Sequence, residues 1–285
     1  MIKKIMRSGY RKLSIRVPEA KKGPFFKSVM VHPSENLVFV RVPKAGCSTV
    51  IARLINQHGK QNDSTLKLHA GNDLITFDHA GFSKRLFGLP VNQTKTFSVV
   101  RNPYTRLLSA FREKIDLNMD GPRYREEFGI TQGEDISFAD FVDILIKRNP
   151  LSLDMHFMPQ SIITAKETVL YDKIFHLERM QECLDWLNMI FPDESLSEYE
   201  SIAPHATNAN NIAKSIYTRE TQEKVACYYK KDFEMLGYHK DIEMLDHFER
   251  VDSENLTPIT QIPMGTFTSL DCLLRSKIPT LLNRH

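Results

Sequence analysis

Leu37-Val38-Phe39-Val40-Arg41-Val42-Pro43-Lys44-Ala45-Gly46-Cys47-Ser48-Thr49 decides how this chain is built. The apolar, β-branched run Leu37–Val42 predicts a short buried strand. Pro43 to Cys47 predicts a turn. Ser48 to about His58 predicts a helix with Val50, Ile51, Leu54 and Ile55 on one face. A turn of small residues between strand and helix lets successive backbone N–H groups converge on one anion, and the helix N-terminus adds partial positive charge. Lys44 supplies a full charge, and Ser48 and Thr49 supply hydroxyls. The run Lys44, Ala45, Gly46, Cys47, Ser48 and Thr49 is therefore a candidate phosphate cradle. It is not a GxxxxGK[ST] loop, because the lysine precedes the glycine, and no apolar strand ending in aspartate accompanies it. Taken alone, the same residues also read as an ordinary strand–turn–helix with an exposed lysine.

Further along, Thr96–Val100 predicts a second buried strand. The turn signal Asn102-Pro103 follows, and then a helix from Thr105 to about Ile115 with Leu107, Leu108, Phe111 and Ile115 on one face. Ser137 is placed to cap a helix whose stripe is Phe138, Phe141, Val142, Leu145 and Ile146. Thr168–Phe175 predicts a strand and Met180–Ile190 a helix. Thr218 starts a long helix carrying Val225, Tyr229 and Phe233, which Gly237 ends. This alternation predicts a single α/β domain with a central parallel sheet flanked by helices and a P-loop-like nucleotide-binding architecture. The expected boundaries are a basic, irregular arm over 1–30, the main domain over 31–240 and a C-terminal extension over 241–285 with weak signals.

The 285 residues are 41% hydrophobic, enough for a sizeable core. Lysine and arginine exceed aspartate and glutamate by only 3, which argues against a dedicated nucleic-acid binder. The four cysteines, Cys47, Cys183, Cys227 and Cys272, are scattered, with no disulfide framework and no zinc spacing. Cys47 aside, buried free thiols are expected. The N-terminus is basic without a continuous apolar stretch, and no run of 18 apolar residues occurs. A soluble, cytoplasmic chain is the expectation, with a basic tip suited to peripheral contact with an anionic membrane.

Phe97-Ser98-Val99-Val100-Arg101-Asn102-Pro103-Tyr104-Thr105-Arg106-Leu107-Leu108-Ser109-Ala110-Phe111 runs from a strand into a helix. Arg101 ends the strand, where open α/β sheets bind ligands. With Ser109 it offers a guanidinium and a hydroxyl to a second phosphate. Together the two segments resemble the sulfotransferase superfamily: PKAGCST its 5′-phosphosulfate loop, and RNPYTRLLSAFREK its 3′-phosphate motif. Within that superfamily the resemblance is to the carbohydrate sulfotransferase branch. Asp154-Met155-His156-Phe157-Met158-Pro159-Gln160 resembles its DxHWxPQ element, with Phe157 in place of Trp. Tyr171 to Glu178 resembles its YDxIxxxE strand, and Tyr229, Asp232, Phe233 and Tyr238 its terminal helix. The resemblance covers about 35–240. No membrane anchor of the kind Golgi members carry is seen, which points to a soluble, bacterial-type form.

The resemblance implies sulfuryl transfer from 3′-phosphoadenosine 5′-phosphosulfate (PAPS) to a hydroxyl, with a carbohydrate as the expected acceptor and no metal required. Lys44 would meet charge on the leaving oxygen, and Lys44 to Thr49 would hold the 5′-phosphate. Arg101 and Ser109 would hold the 3′-phosphate, and Asn208 would lie in a loop that closes over the nucleotide. The acceptor needs a base, and histidine suits by its pKa. His79, between the two motifs, is the first candidate and His156 the second, with Asp78 able to orient or replace His79. The other histidines, His32 among them, are expected at the surface. Two other readings use the same residues: a nucleotide-dependent kinase, and an inactive binder of nucleotide or sulfated glycan on this fold.

Overall fold

The computed structural model describes residues 24–32, 36–56, 93–119, 121–191, 209–249 and 256–261. The chain enters through a helical turn, α1 (Pro24–Ser28), and a strand, β1 (Val29–Val31). β2 (Leu37–Val40) is buried on both faces, as its unbroken apolar run requires. It leads into α2 (Cys47–Asn56). β3 (Lys95–Val100) leads into α3 (Pro103–Phe111), and β5 (Lys173–His176) precedes α7 (Met180–Ile190). Between them lie α4 (Arg123–Phe128), α5 (Phe138–Leu145), α6 (Gln160–Ile163) and the two-residue β4 (Val169–Leu170). After α7 come α8 (Ala209–Ile216), α9 (Arg219–Tyr228), α10 (Lys230–Leu236) and β6 (Thr257–Pro258).

The main sheet has the order β1-β2-β3-β5. β2, β3 and β5 run parallel, with Phe39 opposite Phe97 and Val99 opposite Phe175. Leu37, Phe39, Phe97 and Val99 face α2 and α7, where Val50, Leu54, Cys183 and Leu187 complete one core. Val38 and Val40 face the other way, against Phe25, Val169 and Ile259. A third and larger core gathers α3, α5, α9 and α10 beyond the sheet's C-terminal end. The expected α/β domain with a largely parallel central sheet is therefore what the chain forms.

Several local readings change. The sheet carries an antiparallel edge, because β1 pairs with β2; α1 and β1 fall largely in the stretch read as an irregular arm. The strand expected over Thr168–Phe175 is two strands in two sheets. β4 pairs with β6, and Asp172 breaks the run by accepting from the Thr96 amide at 2.7 Å. α3 passes into a π-helical turn at Arg112–Asp116. The long helix from Thr218 breaks at Tyr229 (φ −98°, ψ 22°) before Gly237 ends α10 at φ 76°. Beyond it, Ile242 and Leu245 are buried, and the Leu245 carbonyl accepts from Asn102 Nδ2 at 3.1 Å, so 241–249 pack onto the domain. His32 and His176 are not surface residues. His32 is buried against Phe191, and His176 stacks on Phe248 with its Nε2 at 3.0 Å from the Leu236 carbonyl. Of the cysteines, Cys183 is buried, but Cys227 is exposed, against expectation.

Candidate active site

The turn between β2 and α2 uses backbone that most residues avoid. Lys44 sits at φ 70° and Gly46 at φ 73°, on either side of Ala45. The φ of Gly46 favours glycine, and a Cβ there would push aside the side-chain tips of Leu177, just before α7, and of Met180 at its start. Cys47, Ser48 and Thr49 form the first turn of α2, half-buried, with no acidic residue among them. The amides at this helix end thus carry partial positive charge with no carboxylate of their own turn to offset it.

Arg101, at the end of β3, reaches across to this turn. Its Nη1 donates to the Lys44 carbonyl at 3.2 Å and its Nε to Thr105 Oγ1 at 3.0 Å. Gln160 grips its backbone from both sides: Oε1 accepts from the Arg101 amide at 2.9 Å, and Nε2 donates to the Arg101 carbonyl at 2.7 Å. Arg101 is 8% exposed and Ser109, on α3, is 2% exposed. Burial lowers the Arg101 pKa to about 10, so the guanidinium remains charged at neutral pH. The two sequence motifs therefore meet at the C-terminal end of the parallel strands, as open α/β sheets arrange their ligand sites.

Lys44 is half-buried and ion-paired with Glu113 in the π-helical turn; it is not the exposed lysine of an ordinary turn. Lys114 Nζ reaches the other oxygen of Glu113 at 2.7 Å and lies 5.5 Å from the centre of the Tyr124 ring. Burial raises the Glu113 pKa, but the hydrogen bonds and charges of the two lysines outweigh it and hold the carboxyl at about 2. His156 also contacts Tyr124, edge to face, with ring centres 5.6 Å apart. Its Nδ1 is 2.6 Å from Asp154 Oδ1 and 3.2 Å from the Tyr124 hydroxyl. Asp154 also receives Arg123 at 3.1 Å. Burial lowers the His156 pKa below its ordinary 6.5, Asp154 opposes this, and the charges of Lys114 and Lys44 add to it. His156 is thus neutral at pH 7 and close enough to both lysines to feel them.

The Sulfotransferase family model matches residues 27–239, most of the chain. The chain belongs to the sulfotransferase family. Among curated proteins it is similar to carbohydrate sulfotransferase 8 of Homo sapiens, at 25% identity over 74% of this chain and 55% of that protein. It is also similar to human carbohydrate sulfotransferase 9, at 26% identity over 74% of this chain and 53% of that one. Carbohydrate sulfotransferase 10 of Pongo abelii matches at 26%, over 74% of this chain and 67% of that protein. The chain spans about half the length of the first two. No solved structure matches it significantly. The expected cytoplasmic placement is overturned by these relatives: they are Golgi carbohydrate sulfotransferases, which a cytoplasmic placement does not fit. Among the described residues no helix is long and apolar enough to cross a membrane.

In this member of the family the motifs that carried the resemblance are largely framework. Asp232 accepts from the amides of Gln160 and Ser161 at 2.7 and 2.8 Å, and so holds the start of α6. Glu178 accepts from the Asn102 amide and the Tyr238 hydroxyl, each at 2.8 Å, beside Arg101. Tyr229 donates to the Phe157 carbonyl at 2.6 Å. Sequence reasoning assigned no role to Glu113, Lys114, Tyr124 or Arg106. The first two lay in plain view in RNPYTRLLSAFREK, but ordinary helical spacing does not turn both toward Lys44. His79, its neighbour Asp78, and Asn208 lie outside the described residues. Among those described, no group of three or more His, Cys, Asp or Glu is placed to hold a metal.

Proposed function

We propose that this chain transfers a sulfuryl group from PAPS to a carbohydrate hydroxyl, using the domain of residues 31–240. The observation that carries the reading is the convergence of Lys44, Arg101 and His156 at one end of the sheet, in a family whose carbohydrate members are its matched relatives. The donor supplies an activated sulfuryl group on a 5′-phosphate. The amides from Gly46 to Thr49 hold that phosphate at the α2 N-terminus. Arg101 and Ser109 take the 3′-phosphate, with Asn208 proposed to close over the nucleotide. The acceptor oxygen forms a bond to sulfur as the bond from sulfur to the bridging oxygen breaks. Lys44 meets the negative charge that leaves on the bridging oxygen. The acceptor proton goes to histidine. With Nδ1–H donated to Asp154, the Nε2 lone pair of neutral His156 accepts it, which favours His156 for this role; His79 remains the other candidate.

The test is transfer of labelled sulfate from PAPS to a panel of glycans, lipids and phenols, with chelator present. Transfer to glycans, lowered in Lys44→Ala far more than nucleotide binding is, supports the reading; transfer that needs magnesium or an ATP γ-phosphate sinks it. His156→Ala should cost about 10²–10⁴ in rate, the range of general base catalysis. If His79→Ala is the variant that pays this cost while His156→Ala stays active, the base is His79. Because burial depresses the His156 pKa, the rate should rise with pH through a value below 6.5 and level off by neutrality.

A further inference from the structure

Arg106 is the largest fully buried side chain of the described residues, and its hydrogen bonds go to backbone carbonyls rather than carboxylates. Nε donates to the Pro43 carbonyl at 3.0 Å, Nη1 to the Met158 carbonyl at 2.8 Å and Nη2 to the Met155 carbonyl at 2.7 Å. Pro43 immediately precedes Lys44, and Met155 immediately precedes His156. One rigid, planar fork therefore holds the peptides next to the lysine of the donor loop and next to the candidate base. A lysine would keep the charge but lose the fork, since its ammonium is a point donor on a flexible stem. The nearby charges of Asp232 and Asp154 stabilise the cation without gripping it. Asp232 instead fixes the amides of Gln160 and Ser161, at the far end of the same 154–160 segment.

We infer that Arg106 is a positioning residue that sets the distance between the donor loop and the segment carrying His156. It touches neither donor nor acceptor; it acts through the two backbone segments it joins. The inference rests on the proposed function for its catalytic readout, though not for its structural one. In-line transfer between two separately held reactants is sensitive to their spacing, and a displacement of about 1 Å can cost roughly 10²-fold in rate.

Arg106→Lys in the full chain should lower turnover about 10²-fold. Affinity for 3′-phosphoadenosine 5′-phosphate should change only a few-fold, because Arg101 and the α2 amides hold the nucleotide. In the Arg106→Lys background, His156→Ala should cost far less than in the unaltered chain, since the two changes disable one arrangement. Tyr229→Phe is the comparison. It loosens the Phe157 carbonyl of the same segment without touching Pro43, and should spare turnover relative to Arg106→Lys. Parallel loss of nucleotide binding and turnover, or full additivity with His156→Ala, overturns the proposal. A structural measurement applies whether or not Arg106→Lys folds or the proposed reaction is found. Hydrogen exchange of the unaltered chain under mild denaturant should show residues 43–49 and 154–160 opening together. Separate opening of the two segments overturns the inference. Absence of sulfate transfer by the unaltered chain overturns the proposed function instead.

Discussion

Glu113 is the residue that most changes how the site is understood. A carboxylate seated between Lys44 and Lys114 stands in for an anion that neither lysine then has to seek elsewhere. An anion binding at these lysines, as proposed for the donor, has to displace it or share them with it. Glu113→Gln keeps the shape and removes the charge, so calorimetric titration with 3′-phosphoadenosine 5′-phosphate should show several-fold tighter binding. Unchanged or weaker binding would mean that Glu113 holds the lysines in place more than it competes for them. The chemistry of Lys44 and Arg101 was legible in the sequence, because a small-residue turn after a buried strand and an arginine ending the next strand each have a direct physical meaning. Glu113 and Lys114 were not. Their direction depends on a π-helical turn, and one extra residue in a helical turn leaves no mark on apolar periodicity. Arg106 was hidden for another reason: an arginine in a helix reads as surface, and only the fold shows three carbonyls around it.

Gly46 ties the α2 entry to α7. Gly46→Ala demands left-handed backbone from a residue with a Cβ and drives that Cβ into Leu177 and Met180. A destabilisation of about 1–2 kcal/mol is expected, chiefly from the left-handed backbone, read as a lower urea midpoint. A midpoint that does not move would show that the turn relaxes without cost. Strands and helices with clear borders were read well. β2, β3 and α7 lie within a residue or two of expectation, since continuous apolar runs and a strong stripe fix them. The misreadings fall where a polar side chain outbid the pattern. Asp172 stops a strand by pairing with the Thr96 amide, and the helix from Thr218 breaks at Tyr229, whose hydroxyl bonds the Phe157 carbonyl.

The folded chain also has an acid limit set at this site. Glu113 and Asp154 are both held at about 2, from ordinary values of 4.5 and 3.8, because cationic or hydrogen-bonding partners outweigh the effect of burial. Folded pKa values below unfolded ones mean that these carboxylates contribute stability in full above about pH 4.5, and that it is lost as pH falls toward 2. Urea midpoints should fall steeply across that window, and the fall should be shallower in Glu113→Gln and Asp154→Asn. Equal slopes would place the acid sensitivity elsewhere. The edge strand β1 and the packing of 241–249 were the parts of the architecture least visible beforehand, since three-residue strands and short coil segments carry almost no periodic signal. The seclusion of Arg101 has a consequence in time. At 8% exposure and bonded to the Lys44 carbonyl, its guanidinium offers little surface to an incoming phosphate. The expected order is that this contact opens before capture. Stopped-flow mixing with nucleotide, followed by the fluorescence of the single tryptophan, Trp186 on α7, should give an observed rate that levels off at high nucleotide concentration. A rate that climbs linearly without limit would mean that the arginine is ready for its ligand before the ligand arrives.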